Sequence, residues 1–425
     1  MADVIVRRKI CRLCRCEVLD LALTLLPSAL ADEFLLTSQH NLEQAKYPLD
    51  LYLCRKCGFS QLLDVVTGNT IYLNYTHETI SATGLGTHFI KYSRDVAAAL
   101  SFPPSTLMID IGSHDNDGSL LRGFKDAGYR VLGLGIDPAR EMSRNATEAG
   151  IETRPEFFTS ELGRKIAGAH GRPKVITANN IYANIDDLEG ITVAIRELMA
   201  DDGVFVFESF YALDWIKNKV FDFMYHEHLS YFSVKPLKVF FDRLGMDLFD
   251  VWPVATKGGS MRYFVQKKSG KRTSQPSVNL AIENEDNFGL FTLKTFTTFA
   301  AQIEKLKNEA LTFMNPLVAS GKKIAGFGAS ATTTTLMHHF ELEKNISFIV
   351  DDFKVKQNTL SPGHKIPVFS PDVIYQENPD YIFIFAWRYV HPIIAKHKRY
   401  LEQGGKFIVP LPEFKVIDKS NFGET

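Results

Sequence analysis

The chain has 425 residues, enough for two or three domains that each bury a core. Hydrophobic residues make up 45%, charged residues 23%, and the formal net charge is −1, as in ordinary globular proteins. This balance excludes a basic surface for nucleic acid, and the longest apolar runs, 204–207 and 381–387, are too short to cross a bilayer.

All five cysteines, Cys11, Cys14, Cys16, Cys54 and Cys57, fall in the first block, residues 1–70. The N-terminus has no apolar h-region or small-residue cleavage site, so the expected compartment is the cytoplasm, where disulfides are disfavoured. Cys11-x-x-Cys14 and Cys54-x-x-Cys57 are two pairs that each bite one tetrahedral ion from a tight turn. Four thiolates with no open position predict a structural Zn²⁺ site. Four unpaired thiols are the plainer alternative. Cys16, two residues beyond Cys14, competes as a ligand on spacing alone but fits better just outside the shell.

From 71 to 285, strand-like and helix-like runs alternate. Strands are predicted at 107–111, 130–136, 174–178 and 203–208, with helices after Gly118 and over 188–199. That rhythm predicts an α/β fold with a parallel sheet covered by helices. The first strand runs into Asp110-Ile111-Gly112-Ser113, the second into Gly135-Ile136-Asp137-Pro138, the third into Ala178-Asn179-Asn180. A glycine admits close approach to the amino-acid part of a ligand, and an acid ending the second strand accepts both ribose hydroxyls. Such groups belong at the carboxyl ends of parallel strands. The first turn lacks Gly-x-Gly-x-x-Gly, which favours S-adenosylmethionine over a dinucleotide.

Next comes Tyr225-His226-Glu227-His228, four functional side chains in a row. In an extended segment Tyr225 and Glu227 share one face, and His226 and His228 the other. This is not the His-Glu-x-x-His spacing of zinc proteases, and a hydrogen-bonded surface turn is the plainer reading.

Breaker-rich residues 267–277 read as a surface loop. A helical pattern over 290–318 and a second α/β block from Lys322 make up the third unit, 286–425. There Gly326-Phe327-Gly328-Ala329-Ser330-Ala331, with Asp351 and Asp352 a strand later, is a respectable dinucleotide fingerprint. It supports a rival reading, an NAD-dependent oxidoreductase. A non-catalytic zinc- and nucleotide-binding partner protein is a third.

Taken together the motifs resemble the S-adenosylmethionine-dependent sugar C-methyltransferases of deoxysugar biosynthesis, over essentially the whole chain. The resemblance rests on the two cysteine pairs, Asp110-Ile111-Gly112-Ser113, Gly135-Ile136-Asp137-Pro138-Ala139 and Ala178-Asn179-Asn180. It extends to the run from Tyr225 to Ser233, Gly258-Gly259-Ser260-Met261-Arg262, Gly326-Phe327-Gly328-Ala329 and Pro362-Gly363-His364-Lys365-Ile366-Pro367. It implies a zinc-binding N-terminal domain, a class I Rossmann-like methyltransferase domain and a Rossmann-like C-terminal domain. It implies S-adenosyl-L-methionine as cofactor and a nucleotide-linked 4-keto-deoxysugar as substrate, methylated at C-3 through an enolate. His228 is then the base, with Glu227, Tyr225 and Tyr75 lining the site. Asp110, Gly112, Asp137, Asn179 and Asn180 face the cofactor, and His226, Lys257, Ser260 and Arg262 the substrate. Three departures stand out. The turn after Ser113 is about two residues longer than the family's, Lys257 replaces a common His, and Ala331-Thr332-Thr333 replaces Ala-Lys-Gly.

Overall fold

The computed structural model describes residues 4–67, 84–112, 119–134, 147–148, 150–154 and 156–422. The N-terminal unit opens with β1 (Ile5–Arg7), β2 (Leu19–Ser28), β3 (Leu35–Leu36), β4 (Tyr47–Cys54), β5 (Ser60–Leu62) and β6 (Asp64–Val66). β2, β4 and β5 form an antiparallel sheet, and β1 pairs with β6. Along β4, Leu49, Leu51 and Leu53 are buried at every second position, the period that puts one strand face on a core.

The middle unit carries α1 (Leu85–Leu100), β7 (Leu107–Ile111), α2 (Ser119–Asp126), β8 (Arg130–Leu134) and β9 (Thr153–Arg154). It continues with α3 (Ser160–His170), β10 (Val175–Thr177), α4 (Leu188–Leu198), β11 (Val204–Phe210) and α5 (Ala212–Lys217). β12 (Ser230–Tyr231), α6 (Val234–Arg243), β13 (Met246–Val254) and β14 (Ser260–Lys267) complete it. The sheet order is β9-β8-β7-β10-β11-β14-β13. The first five strands are parallel, while β14 runs antiparallel to both β11 and β13. Every residue of β7 and β11 is buried, as helices on both faces require. The order reverses between β7 and β10, and a cleft for a ligand opens at such a switch point, beyond the carboxyl ends.

α7 (Pro276–Phe288) packs back on β13 and α6 of the middle unit, and the third unit has α8 (Leu293–Ala319), β15 (Ile324–Phe327), α9 (Ala331–Phe340), β16 (Ile349–Val350) and β17 (Thr359–Leu360). Then follow β18 (Pro367–Phe369), β19 (Tyr381–Ile384), β20 (Lys406–Val409) and β21 (Lys415–Ile417). The helix expected over 290–318 is α8, the second of a pair, and α7 before it was not expected. Pro276 starts the first, and Gly289, at φ 74°, stops it in the left-handed conformation. The sequence pattern hid α7 because it begins inside the breaker-rich stretch.

Two strand pairings join the units. β12 of the middle unit adds to β5, and β3 adds to β17 at the edge of the C-terminal sheet. Residues 221–232 are thereby fixed where all three units meet. Glu285 ties α7 to the middle unit: it accepts hydrogen bonds from the Tyr211 hydroxyl at 2.8 Å and from the N–H groups of Val234 and Lys235, capping α6 from another helix.

Candidate active site and metal centre

The N-terminal cysteines converge. The Sγ atoms of Cys11, Cys14, Cys54 and Cys57 all lie within 4.8 Å of one another. Cys11 and Cys57 are 3.7 Å apart, and Cys14 and Cys54 3.5 Å. A tetrahedral zinc–thiolate site, with Zn–S bonds of about 2.3 Å, has S···S edges of about 3.8 Å. The set therefore fits Zn²⁺. Both turns are closed by backbone bonds, Arg15 N–H to the Cys11 carbonyl and Gly58 N–H to the Cys54 carbonyl. Gly58 sits at φ 75°, and a Cβ there would stand 2.4 Å from the Phe291 ring. Cys16 lies outside the set: its sulfur accepts the Val18 N–H at 3.4 Å, and its carbonyl closes the first turn on Cys11 N–H.

At the end of β7, Gly112 adopts φ 78°, and a Cβ would come within 2.9 Å of Ile181. Asp110, on the same strand, accepts the Thr177 hydroxyl. Two residues beyond the end of β10 stands Asn179, whose Oδ1 accepts Glu208 N–H at 2.9 Å while its buried Nδ2 has no hydrogen-bond partner. Asn180 is left-handed, at φ 58°. Asp137 and Tyr75 lie outside the described residues.

Glu208, in β11, organises a network that its sequence position alone did not announce. Its carboxylate takes His88 Nε2 at 2.7 Å, the Thr256 hydroxyl at 3.2 Å and Arg262 at 2.9 and 3.2 Å. Burial works against the charge, yet His88 and Arg262 hold the carboxyl below its ordinary pKa. Arg262 also stacks over Tyr92 at 4.0 Å. Arg262 is thus committed to Glu208, and Ser260 donates its hydroxyl to the Thr256 carbonyl at 3.0 Å.

Residues 225–228 form a hydrogen-bonded turn, the alternative to an extended segment, in which His228 N–H donates to the Tyr225 carbonyl at 2.9 Å, but the turn is buried and not on the surface. The expected alternation of faces is therefore lost. The Tyr225 and His228 rings lie together, centroids 4.0 Å apart. His228 is buried, and its Nδ1 donates to the Phe223 carbonyl at 2.8 Å, which makes Nε2 the basic nitrogen of the ring. His226 turns the other way, donating from Nε2 to the Tyr47 carbonyl at 3.2 Å. Burial lowers its pKa to about 4. Burial, reinforced by the charge of Asp32, raises Glu227 to about 8. The Tyr225 hydroxyl is raised well above its usual value, first by burial and then by Glu227 and Asp32.

A cavity of about 750 Å³ opens between residues 255–258 of the middle unit and the C-terminal unit, and residues 225–228 are not in its lining. Lys257, Arg388 and Lys415 put positive charge on its wall, and Glu413, paired with Lys415 at 3.1 Å, lines it too. Burial brings Lys257 down to about 8. Arg388 is anchored on Asp222 at 3.0 Å, where Trp387 Nε1 also donates, at 2.9 Å. In the C-terminal glycine turn Asp351 faces inward, its two oxygens accepting Ala329 N–H at 2.5 Å and Phe353 N–H at 2.7 Å. The acid of the dinucleotide fingerprint is thus used to close its own turn. Among the described residues no helix is long and apolar enough to cross a membrane.

Three family models match successive parts of the chain. They are described as "Putative zinc binding domain" over residues 11–72, "Methyltransferase domain" over 88–251 and "C-methyltransferase C-terminal domain" over 255–412. C-methyltransferase NovU from Streptomyces niveus is 32% identical over 372 residues, spanning 87% of this chain and 88% of that protein. Solved structures are more distant. A methyltransferase from Geobacter sulfurreducens in complex with S-adenosyl-L-homocysteine is 13% identical, with TM-score 0.32, covering 42% of this chain and 90% of that one. Magnesium protoporphyrin IX methyltransferase from Synechocystis is 16% identical, with TM-score 0.33, covering 47% and 92%.

Proposed function

The chain belongs to the C-methyltransferase family, and from that premise we propose that it methylates C-3 of a nucleotide-linked 4-keto-deoxysugar, with His228 as the base. The observation that carries this reading is the polarity of the 225–228 turn. A histidine whose Nδ1 is pinned as donor keeps Nε2 as its basic nitrogen, beside two acids that burial pushes toward their neutral forms, Tyr225 and Glu227.

A ketone at C-4 acidifies the neighbouring C-3 proton. His228 Nε2 takes that proton, and the C–H electron pair moves into the C-3–C-4 bond and onto the carbonyl oxygen. Neutral Tyr225 and Glu227 are the donors that stabilise the resulting enolate, in a pocket where low dielectric strengthens each hydrogen bond. When bound, S-adenosylmethionine would supply an electrophilic methyl carbon to the nucleophilic C-3, with neutral S-adenosylhomocysteine as the leaving group. Gly112 is the position for close backbone approach to the cofactor, Asp110, Asn179 and Asn180 stand around it, and Asp137 is assigned to the ribose from its place in the sequence alone. Lys257, with Arg388, faces the anionic nucleotide, whereas His226 supports the turn from behind. Zinc at Cys11, Cys14, Cys54 and Cys57 is structural, and its unit is stitched to the turn through β5 and β12.

The test is a product assay. Protein, S-adenosylmethionine and a nucleotide-linked 4-keto-6-deoxyhexose should yield a sugar heavier by one CH₂ unit, with the new methyl on carbon. A product methylated on oxygen or nitrogen, or none with any 4-keto nucleotide sugar, contradicts the proposal.

A further inference from the structure

Between the zinc ligands Cys11 and Cys14 stands Arg12, an arginine whose side chain has no exposed surface. Its backbone N–H donates to Gln61 Oε1 at 3.1 Å, so the zinc turn itself is tied to β5. Arg12 Nη1 donates to Gln61 Oε1 at 3.2 Å and to the Leu62 carbonyl, and it reaches the Leu229 carbonyl at 3.5 Å. Leu62 N–H donates to that same Leu229 carbonyl at 3.0 Å. Leu229 follows His228 directly, so these bonds hold the chain where it leaves the base.

The other edge of the guanidinium faces the middle unit. Nε donates to Asp186 Oδ1 at 3.0 Å, and Nη2 pairs with the same oxygen at 2.9 Å. Arg8 adds a second ion pair to that carboxylate, also at 2.9 Å. Asp186 lies in the loop from β10 to α4, which opens with Asn179 and Asn180 at the cofactor rim. Taking a guanidinium out of water is costly, and an apolar side chain could fill the same space without that cost. What the planar fork adds is a fixed spacing between the partners on its two edges. Tyr182 of the same loop stacks on Phe232, ring centroids 5.5 Å apart, so apolar packing spans the gap beside this polar bridge.

We propose that Arg12 is a positioning residue for methyl transfer: it sets the spacing between the loop that carries the cofactor rim and the turn that carries His228. The inference rests on the reading of the 225–228 turn given above and adds a residue that acts through Asp186 and Leu229. In-line attack needs C-3 and the methyl carbon at near-attack distance, and a misplacement of about 1 Å can cost about 10²-fold. Removal of the C-3 proton needs only the turn. Loosening the bridge should therefore separate two steps that the intact protein performs in sequence. Arg12→Met should slow methyl transfer by about 10²-fold, while deuterium exchange at C-3 persists near the wild-type rate. A residue that merely held the turn in shape would affect both steps alike.

The direct readout is amide hydrogen exchange, followed by mass spectrometry on full-length, zinc-loaded protein with and without S-adenosylhomocysteine. In the wild type the ligand should slow exchange in peptides covering 179–187 and in those covering 225–231. In Arg12→Met the first protection should remain and the second disappear, with zinc content and S-adenosylhomocysteine affinity unchanged. Should Arg12→Met lose its zinc or fail to fold, Asp186→Ala decides. That variant cuts the bridge at its exposed end, leaves Arg12 on Gln61, Leu62 and Leu229, and should show the same split. Both variants leave the packing of Tyr182 on Phe232 in place. Protection of 225–231 that survives loss of the bridge, or that the wild type never shows, overturns the proposal. So does a C-3 exchange rate that falls as far as methyl transfer. Because the amide measurement needs no turnover, absence of methyl transfer would count against the proposed reaction and retained protection against this inference.

Discussion

The cysteine cluster and the turn at residues 225–228 both gather four functional side chains, but they are held in opposite ways. The sulfurs are positioned from within their own unit by two short turns closed on Cys11 and Cys54. The second set is positioned from outside. Tyr47 of the N-terminal unit receives His226, Thr335 of the C-terminal unit holds the Met224 carbonyl, and β5 pairs with β12 just beyond. The contrast teaches a direction of dependence: loss of the metal should reach the turn, whereas changes in the turn should leave the metal alone.

The largest effect follows from breaking the cluster. Cys54→Ser, or removal of zinc by a chelator, should abolish methyl transfer and the cooperative unfolding of the N-terminal sheet. Zinc contributes an apparent ~10–16 kcal/mol to small thiolate domains. Metal analysis beside circular dichroism checks this, and an active, folded zinc-free protein would break the proposed dependence. Tyr225→Phe sharpens the other side of the contrast. It should slow methyl transfer by about 10²–10³-fold, as loss of an oxyanion donor does, with zinc content unchanged. A smaller effect is expected at the middle sheet. Gly112→Val forces a branched side chain into a left-handed position against Ile181, a strain of about 1–3 kcal/mol. Calorimetry should show weaker S-adenosylmethionine binding, and unchanged affinity would move the site off this strand end. The smallest belongs to Cys16→Ser, which should keep its zinc and alter stability by no more than about 0.5 kcal/mol. Loss of the metal in that variant would redraw the ligand set.

The same contrast explains what could be read in the sequence. The cysteine pairs declare themselves because a chelating turn needs only local spacing. The strands ending near Asp110, Asn179 and Glu208 are legible for a similar reason, since fully buried parallel strands read as apolar runs. The turn at 225–228 was visible as a motif, but its geometry was not. Whether four residues alternate or fold back depends on a backbone bond from His228 to Tyr225 that residue types do not dictate. The Arg12 bridge and the His88–Glu208–Arg262 network gave no signal because their partners are distant in sequence. Of these, Glu208 alone carried a hint, a buried acid in an apolar strand whose charge must find a partner.

The central claim is that His228 removes the C-3 proton before the methyl group moves, and proton exchange tests that claim without requiring alkylation. Wild-type protein, a 4-keto nucleotide sugar and S-adenosylhomocysteine are incubated in deuterium oxide, and deuterium at C-3 is followed by NMR. The account predicts that the wild type exchanges the C-3 hydrogen and that His228→Asn does not, although both bind S-adenosylhomocysteine equally well. Exchange at the wild-type rate in His228→Asn would contradict it.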